Sequence, residues 1–455
     1  MRRLSLLVLT LAGCAGLSPA RDIGDRIVLG ATGNDGAMKK LVELCDDVGH
    51  RLSGSKGLER AVEWAVATLK ADGHENVRAE PAMVTKWVRG KESLTLLEPR
   101  EMPMVMLGLG GSVGTPDEGI TAEVVAVPSQ AELDRLGEAV RGKIVLFNFA
   151  MPPYNSKDGP KYGETVTYRA NGAAWAAKYG AVAALVRSVT AKSLRTPHTG
   201  GMNYGDAKVK IPGAAITIED AEMLSRFCAR GKKPVVRLMM EAKTDGEVES
   251  HNVVGEIVGR EWPDEVVVIS GHLDSWDVGA GAHDDGAGVV TAMQALTTLR
   301  QMGLRPRRTI RVVLWTNEEN GIGGAKAYVR DHKGELTRHI AAIEADSGGF
   351  RPTGFSMEQR NPAYLEKAIE RMRSYVAPLA GMKADDVKAG GSGADVGQFK
   401  AHGVVCLGLS VDNATYFDYH HTPADTPDKV NPLELAQCVA AMALAAYQIA
   451  EFGWE

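Results

Sequence analysis

The run Val266-Val267-Val268-Ile269-Ser270-Gly271-His272-Leu273-Asp274-Ser275-Trp276 decides how this chain folds. Four consecutive β-branched residues without a polar interruption describe a strand buried on both faces. The strand ends abruptly in Gly-His-Leu-Asp, which sets polar groups at its carboxyl end, where ligand sites of open α/β sheets lie. Outward from this stretch the pattern repeats. Residues 310–315 form a strand followed by Asn317-Glu318-Glu319-Asn320-Gly321, and residues 340–343 form another followed by Glu344-Ala345-Asp346-Ser347. A fourth strand spans 404–409, and the loop beyond it reaches His420-His421-Thr422-Pro423-Ala424-Asp425-Thr426. Between the first two strands, 286–302 reads as a helix with Val289, Val290, Met293, Leu296 and Leu299 on its inner side. Strands alternating with helices predict an α/β fold: a mostly parallel central sheet with helices on both faces.

Each motif taken alone has an ordinary reading. A Gly-His at a strand end is usually a polar cap, Glu318-Glu319 a solvated surface pair, and His283-Asp284-Asp285-Gly286 a helix N-terminus whose acids suit the dipole. Their common placement changes the balance, because separate elements deliver His, Asp and Glu to one rim of one sheet. Nitrogen and carboxylate donors without thiolate suit a catalytic zinc site, or a pair of zincs, better than a structural one. Asp274, two residues after His272, is placed to orient the imidazole through its other nitrogen. No strand–helix junction presents a serine nucleophile elbow, so a serine hydrolase has little support.

The 455 residues allow two or three domains. Hydrophobic residues at 44% and charged ones at 24% exclude a disordered chain, and a net charge of −5 with no basic run leaves no footprint for nucleic acid. Five Cys without a Cys-x-x-Cys pair are neither a disulfide scaffold nor a thiolate zinc site. Met1-Arg2-Arg3 followed by the apolar run 4–11 is too short to span a bilayer and fits an export signal. Leu11-Ala12-Gly13-Cys14 resembles a bacterial lipobox, which favours a lipid on Cys14 and a periplasmic protein anchored to an envelope membrane; an ordinary cut near Ser18-Pro19-Ala20 is the alternative. Cys45, Cys228, Cys406 and Cys438 then read as core residues, and no other segment has membrane-spanning length free of charge.

Residues 35–72 read as two helices around the Gly/Ser-rich turn at 49–55, and 77–98 as strands. From 115 to 245 short β and α elements alternate: strands at 122–127, 143–149, 181–186, 214–218 and 235–239, and an Ala-rich helix at 170–179. No cluster of His and acids marks this stretch, so it reads as a scaffold, lid or specificity module. The expected division is 1–20 signal, 21–114 and 246–455 as the two parts of the main domain, and 115–245 inserted between them.

With these motifs in this order, the chain resembles the co-catalytic dinuclear zinc exopeptidases of glutamate carboxypeptidase and the bacterial leucyl aminopeptidases, and most of all their plasma glutamate carboxypeptidase branch. The stretches that carry the resemblance are 271–279, Asp284-Asp285-Gly286, Asn317-Glu318-Glu319, 344–349 and Arg51-Leu52-Ser53-Gly54-Ser55. Gly142-Lys143-Ile144-Val145-Leu146-Phe147 and Lys178-Tyr179-Gly180-Ala181 resemble the protease-associated domain inserted into several exported peptidases. The resemblance implies two Zn²⁺ per chain: Asp284 bridging, His272 and Asp346 completing one site, Glu319 and His421 the other. It also implies a cis peptide before Asp285. Glu318 becomes the general acid/base and Asp274 the orienter of His272, while His420 stands where several relatives carry a Tyr and stabilises the oxyanion. The 390–395 loop, Gly390-Gly391-Ser392-Gly393-Ala394-Asp395, is a candidate pocket wall. The implied function is hydrolysis of dipeptides or short peptides. An aminopeptidase, an inactive binding homologue and a cyclase or deacylase share the same core, and the family allows a homodimer.

Overall fold

The computed structural model describes residues 19–454, so the leader and Cys14 lie outside the described residues. Two eight-stranded sheets organise the chain. The first is built from β1 (Glu75–Val88), β2 (Lys243–Ile257), β3 (Trp262–His272), β4 (Arg308–Trp315), β5 (His339–Glu344), β6 (Pro352–Glu358), β7 (Asp386–Ala389) and β8 (Val405–Val411). Their order across the sheet is β1-β2-β4-β3-β5-β8-β6-β7. The four strands read from the sequence form its parallel centre, β4-β3-β5-β8. Antiparallel pairings flank this centre: β1 with β2, β2 with β4 and β6 with β8. The carboxyl ends of the parallel strands therefore open onto one edge.

Burial on both faces is visible residue by residue. Val267 and Ile269 enter a core with Val289, Met293 and Leu296 of the helix Ala287–Gln301, while Val266 and Val268 face a second core with Trp315, Tyr328 and Phe399. Each such side chain contributes roughly 1.5–3 kcal/mol when fully buried. Gly271 permits the close approach of β3 to that helix, since a Cβ there would lie 2.6 Å from the Gly288 carbonyl carbon and the Val289 nitrogen. The last helix, Pro432–Phe452, is long and apolar enough to cross a membrane, but 83% of its most apolar window is buried within the fold. It is a core helix, with Glu434 and Glu451 near its two ends. Cys45, Cys406 and Cys438 are buried free thiols; Cys228 is free and half-buried.

The second sheet interrupts the β1–β2 pair. The chain leaves β1 at Val88 and re-enters β2 at Lys243, and these two residues are partners in register. Between them run the strands Glu92–Glu98, Met102–Met104, Met106–Gly108, Ile120–Val127, Ile144–Phe147, Ala183–Arg187, Gly213–Ile216 and Val235–Met240. The inserted module thus starts upstream of the expected boundary at 115. Glu92–Glu98 pairs antiparallel with the returning strand Val235–Met240, and Met106–Gly108 pairs with Gly213–Ile216. Those pairings span more than a hundred residues of sequence, a distance that no local pattern displays.

Candidate metal centre

The site is assembled at the carboxyl edge of the parallel strands. His272 closes β3, Glu318 and Glu319 follow β4, Asp346 follows β5, and His420 and His421 follow the short helix Tyr416–Tyr419 beyond β8. Asp284 arrives from the loop between β3 and the helix Ala287–Gln301, where the Asp284–Asp285 peptide is cis. Its two carboxylate oxygens face different partners. Oδ1 lies 3.4 Å from His272 Nε2, which lies 3.3 Å from Asp346 Oδ1. Oδ2 lies 3.0 Å from His421 Nε2, which lies 3.1 Å from Glu319 Oε2.

These spacings are those of ligands about one ion. Donors at about 2.0–2.1 Å from a tetrahedral zinc stand about 3.3 Å apart. The donor atoms of His272, Asp284 and Asp346 all lie within 4.8 Å of one another, as do those of Asp284, His420 and His421. Glu319 Oε1 is buried without a hydrogen-bond partner, an acceptor that a cation would satisfy. Carboxylates outnumber imidazoles in the cluster, and each group shifts the others. Burial, reinforced by Asp346, Glu319 and Asp274, pushes Glu318 well above the usual carboxylate range against the pull of His272. Burial, with Asp284 adding to it, raises Glu319 to about 7. For His421 burial acts the other way, yet Glu319 and Asp284 hold its pKa up at about 9. Such a cluster suits a divalent cation, and the five expected ligands offer the nitrogen and carboxylate donors that zinc takes.

The imidazoles of His272 and His421 are both braced on the nitrogen that faces away from the carboxylates. His272 Nδ1 meets the Asp274 main-chain carbonyl at 3.0 Å, and His421 Nδ1 meets the Thr199 carbonyl at 3.2 Å. A carbonyl only accepts, so in the neutral ring Nδ1 donates and Nε2 is the atom turned toward the carboxylates; the Arg169 guanidinium also lies 3.4 Å from His421 Nδ1. Asp274 meets the other nitrogen of His272, as expected, through its main-chain carbonyl. Its carboxylate stands 3.7 Å from His272 Nδ1 and binds elsewhere: Oδ1 accepts the Glu318 N–H at 3.0 Å, and Oδ2 accepts the Glu319 N–H at 3.3 Å and the Ser53 hydroxyl at 3.2 Å. Asn317 and Ile322, at φ 66° and 56°, bound the tight turn that carries the two acids. Gly321 is needed inside it because a Cβ would fall 2.2 Å from Asn317 Oδ1.

The neighbours of the ligands divide the remaining roles. Asp285 accepts the His272 and Gly288 N–H groups at 2.9 and 3.0 Å, so it serves as the helix-start acid while Asp284 faces the site. His283 is a strut: Nδ1 accepts from the Gly349 N–H, Nε2 donates to the Lys429 carbonyl, and the ring stacks on Phe350. Asp425, which the sequence placed in a motif without a role, accepts the N–H groups of His283 and Asp284 at 2.7 and 3.0 Å. His420 stacks on His421 with centroids 3.5 Å apart, and its Nε2 lies 3.5 Å from Asp284 Oδ2. Burial, with the charge of His421, holds it neutral well below the usual imidazole range.

A cavity of about 470 Å³ opens on Glu318, Glu319, Asp346 and His420 and takes Tyr162 and Arg169 from the inserted module. Asp346 and Ser347 also line a neighbouring cleft of about 850 Å³, whose wall includes Gly391, Ser392 and Gly393 of the candidate loop. Asp395 is instead fully buried. Tyr162, Arg169 and Thr199 had no sequence signal, since they lie in a stretch without clustered acids or histidines. A Gly-x-Ser-x-Gly spelling does occur at Gly110-Gly111-Ser112-Val113-Gly114, but it is structural. Ser112 is buried, its hydroxyl donating to the Val113 carbonyl and accepting the Gly213 N–H.

A sequence model of peptidase family M28 matches residues 252–446, and one of the PA domain matches residues 120–224. The chain belongs to peptidase family M28, with a PA domain set into the peptidase fold. Within that family it is similar to carboxypeptidase Q: the Mus musculus and Homo sapiens proteins are each 44% identical over 413 residues, 91% of this chain and 85% of theirs. The crystal structure of a peptidase M28 precursor from Shewanella amazonensis SB2B superposes with a TM-score of 0.89 at 35% identity, covering 95% of this chain and 97% of that one. A zinc aminopeptidase from Bacillus subtilis shares the fold at 20% identity and a TM-score of 0.65, over 92% and 95% of the two chains.

Proposed function

We propose that this peptidase is an exported dinuclear zinc exopeptidase that hydrolyses dipeptides or short peptides, reading its substrate as a carboxypeptidase Q-like enzyme does. The observation that carries the reading is the split environment of Asp284, with one carboxylate oxygen toward His272 and Asp346 and the other toward His421 and Glu319. His421 is preferred over His420 as the ligand because His421 Nδ1 has a carbonyl brace. When bound, the two ions supply Lewis acidity and lower the pKa of water toward neutrality. Glu318 faces the cavity beside a ligand and is pushed toward a higher pKa, which suits a group that takes a proton from water and returns it to the leaving amine. His420, neutral and at the cavity wall, offers an N–H to the developing oxyanion. Asp274 keeps Glu318 and Glu319 in place through their main chain.

The inserted module supplies Tyr162 and Arg169 to the cavity, so it roofs the site and limits substrate length. Free termini then make charge-assisted hydrogen bonds that blocked ends cannot. With the metal-loaded protein, dipeptides are expected to be cut faster than their N-acetylated or C-amidated forms. Loss on C-amidation supports the carboxypeptidase-like pocket, whereas loss on N-acetylation alone supports an aminopeptidase on the same core. Rapid cleavage of a long unfolded protein at internal bonds would rule out both.

A further inference from the structure

The inserted module and the peptidase layer are joined next to the metal centre by two residues of the loop after β3. Trp276 is buried in the module's own core with Leu94, Met106 and Leu238, edge-on to Trp87 at 6.4 Å. Gly110 makes room for it, since a Cβ there would lie 2.0 Å from the indole. Asp277 receives Arg89 on both oxygens, Nε to Oδ2 at 2.8 Å and Nη2 to Oδ1 at 2.5 Å, with the two side chains 10% and 18% exposed. Arg89 follows directly on β1, at the point where the chain enters the module. Its Nη2 also reaches the Thr199 hydroxyl at 3.3 Å, and that hydroxyl donates to the Gly108 carbonyl at 2.7 Å. Thr199 then holds His421 through both main-chain groups: its N–H donates to the His421 carbonyl at 3.1 Å, and its carbonyl accepts from His421 Nδ1 at 3.2 Å.

We propose that the Arg89–Asp277 ion pair is a positioning element for the metal ligand His421, acting through Thr199. The inference rests on the two-metal reading and adds an asymmetry to it. His421 sits at φ 61°, a left-handed conformation that a residue with a side chain keeps only where its surroundings over-determine it. Those surroundings include a segment of another module, and a partly buried bidentate pair fixes that segment better than an exposed one does. His272, by contrast, is braced by Asp274 from within its own layer. Loosening the module therefore weakens the ion held by Glu319 and His421 and spares the ion held by His272 and Asp346. Changes to groups that orient a ligand typically cost ~10–100-fold in metal affinity, and this pair acts through an intermediary, so about tenfold is expected.

The test is a zinc titration of the metal-free protein against a chromophoric chelator, for the wild type, Asp277→Asn, Arg89→Met and the double variant. One ion should bind as in the wild type and the other about tenfold more weakly in each single variant, with the double no weaker than Arg89→Met, which already removes the contacts of Arg89 with Asp277, Thr199, Gly108 and Glu92. Arg89→Lys, which keeps the charge, should recover part of the loss. Should the first variants not fold, Thr199→Val decides: it keeps the main-chain contacts and removes only the hydroxyl that Arg89 reaches, and weakening of a single ion is again the expected result. Both ions bound with wild-type affinity, or both weakened equally, would overturn the proposal. A wild type that takes up one ion only would overturn the two-metal reading along with it, a result distinct from unaltered affinities in the variants.

Discussion

Asp274 holds the peptide that carries Glu318: its Oδ1 accepts the Glu318 N–H at 3.0 Å and its Oδ2 the neighbouring N–H of Glu319 at 3.3 Å. The same residue offers its carbonyl to His272. One residue therefore ties the ends of β3 and β4 together beneath the site. Glu318, Glu319 and the His272 imidazole are thereby fixed relative to each other.

The Glu318→Gln variant should fold normally and keep its metal content while kcat falls by at least ~10²-fold, the lower range for a lost general base. Metal analysis alongside steady-state kinetics checks this. Near-normal turnover with metals bound would remove Glu318 from the proton-transfer role.

Because the two oxygens of Asp284 serve different partners, Asp284→Ala should lose metal at both positions rather than one. Elemental analysis per chain after exhaustive dialysis gives the answer. Loss of a single ion would mean that Asp284 belongs to one site only.

Acid sensitivity away from the site should involve His339 at the opposite end of β5. Its Nδ1 donates to the Glu335 carbonyl and its Nε2 accepts from the Tyr328 hydroxyl, and burial, together with Arg311 and His332, lowers its pKa to about 4 against the Glu335 bond. A base with a depressed folded-state pKa favours the unfolded chain when protonated. Its contribution is thus intact above the unfolded value of about 6.5 and is lost as pH falls toward about 4. Urea midpoints at pH 7 and pH 4.5 should differ less in His339→Gln than in the wild type. Some difference should persist, because His74, lowered to about 4 mainly by burial, titrates over the same range.

Lipid on Cys14 is expected from the lipobox-like Leu11-Ala12-Gly13-Cys14. Intact-mass analysis of protein from its native host should show a lipid-modified chain beginning at Cys14. A mature chain starting at Arg21 without acyl groups would establish ordinary secretion instead.

The parts of the fold that sequence reveals are those where side-chain chemistry and environment coincide. Val266, Val267, Val268 and Ile269 announce a strand buried on both faces, and His272, Asp346 and Glu319 stand out as polar groups that end or follow such strands. The strand Pro352–Glu358 and the short edge strand Asp386–Ala389 escape notice because they mix polar with apolar residues. The helix Pro19–Thr32 is hidden by its closeness to the leader, although Ile27 and Ala31 pack into the main core. The braces are hidden for a different reason. The carbonyls of Asp274 and Thr199 and the N–H groups gripped by Asp274 and Asp425 belong to the main chain, which every residue type presents alike.

The register partnership of Val88 with Lys243 makes the inserted module the turn of a very long hairpin. In an unfolded chain, closing a loop of about 150 residues costs about 3 kcal/mol more in entropy than closing a four-residue turn. A module that folds first, on its own pairings, brings its two ends side by side and removes most of that cost. Loop-closure entropy thus favours forming the second sheet before β1 pairs with β2. Deleting the module would not simply trim a decoration, since a short linker in its place would leave Trp276 without the core it enters.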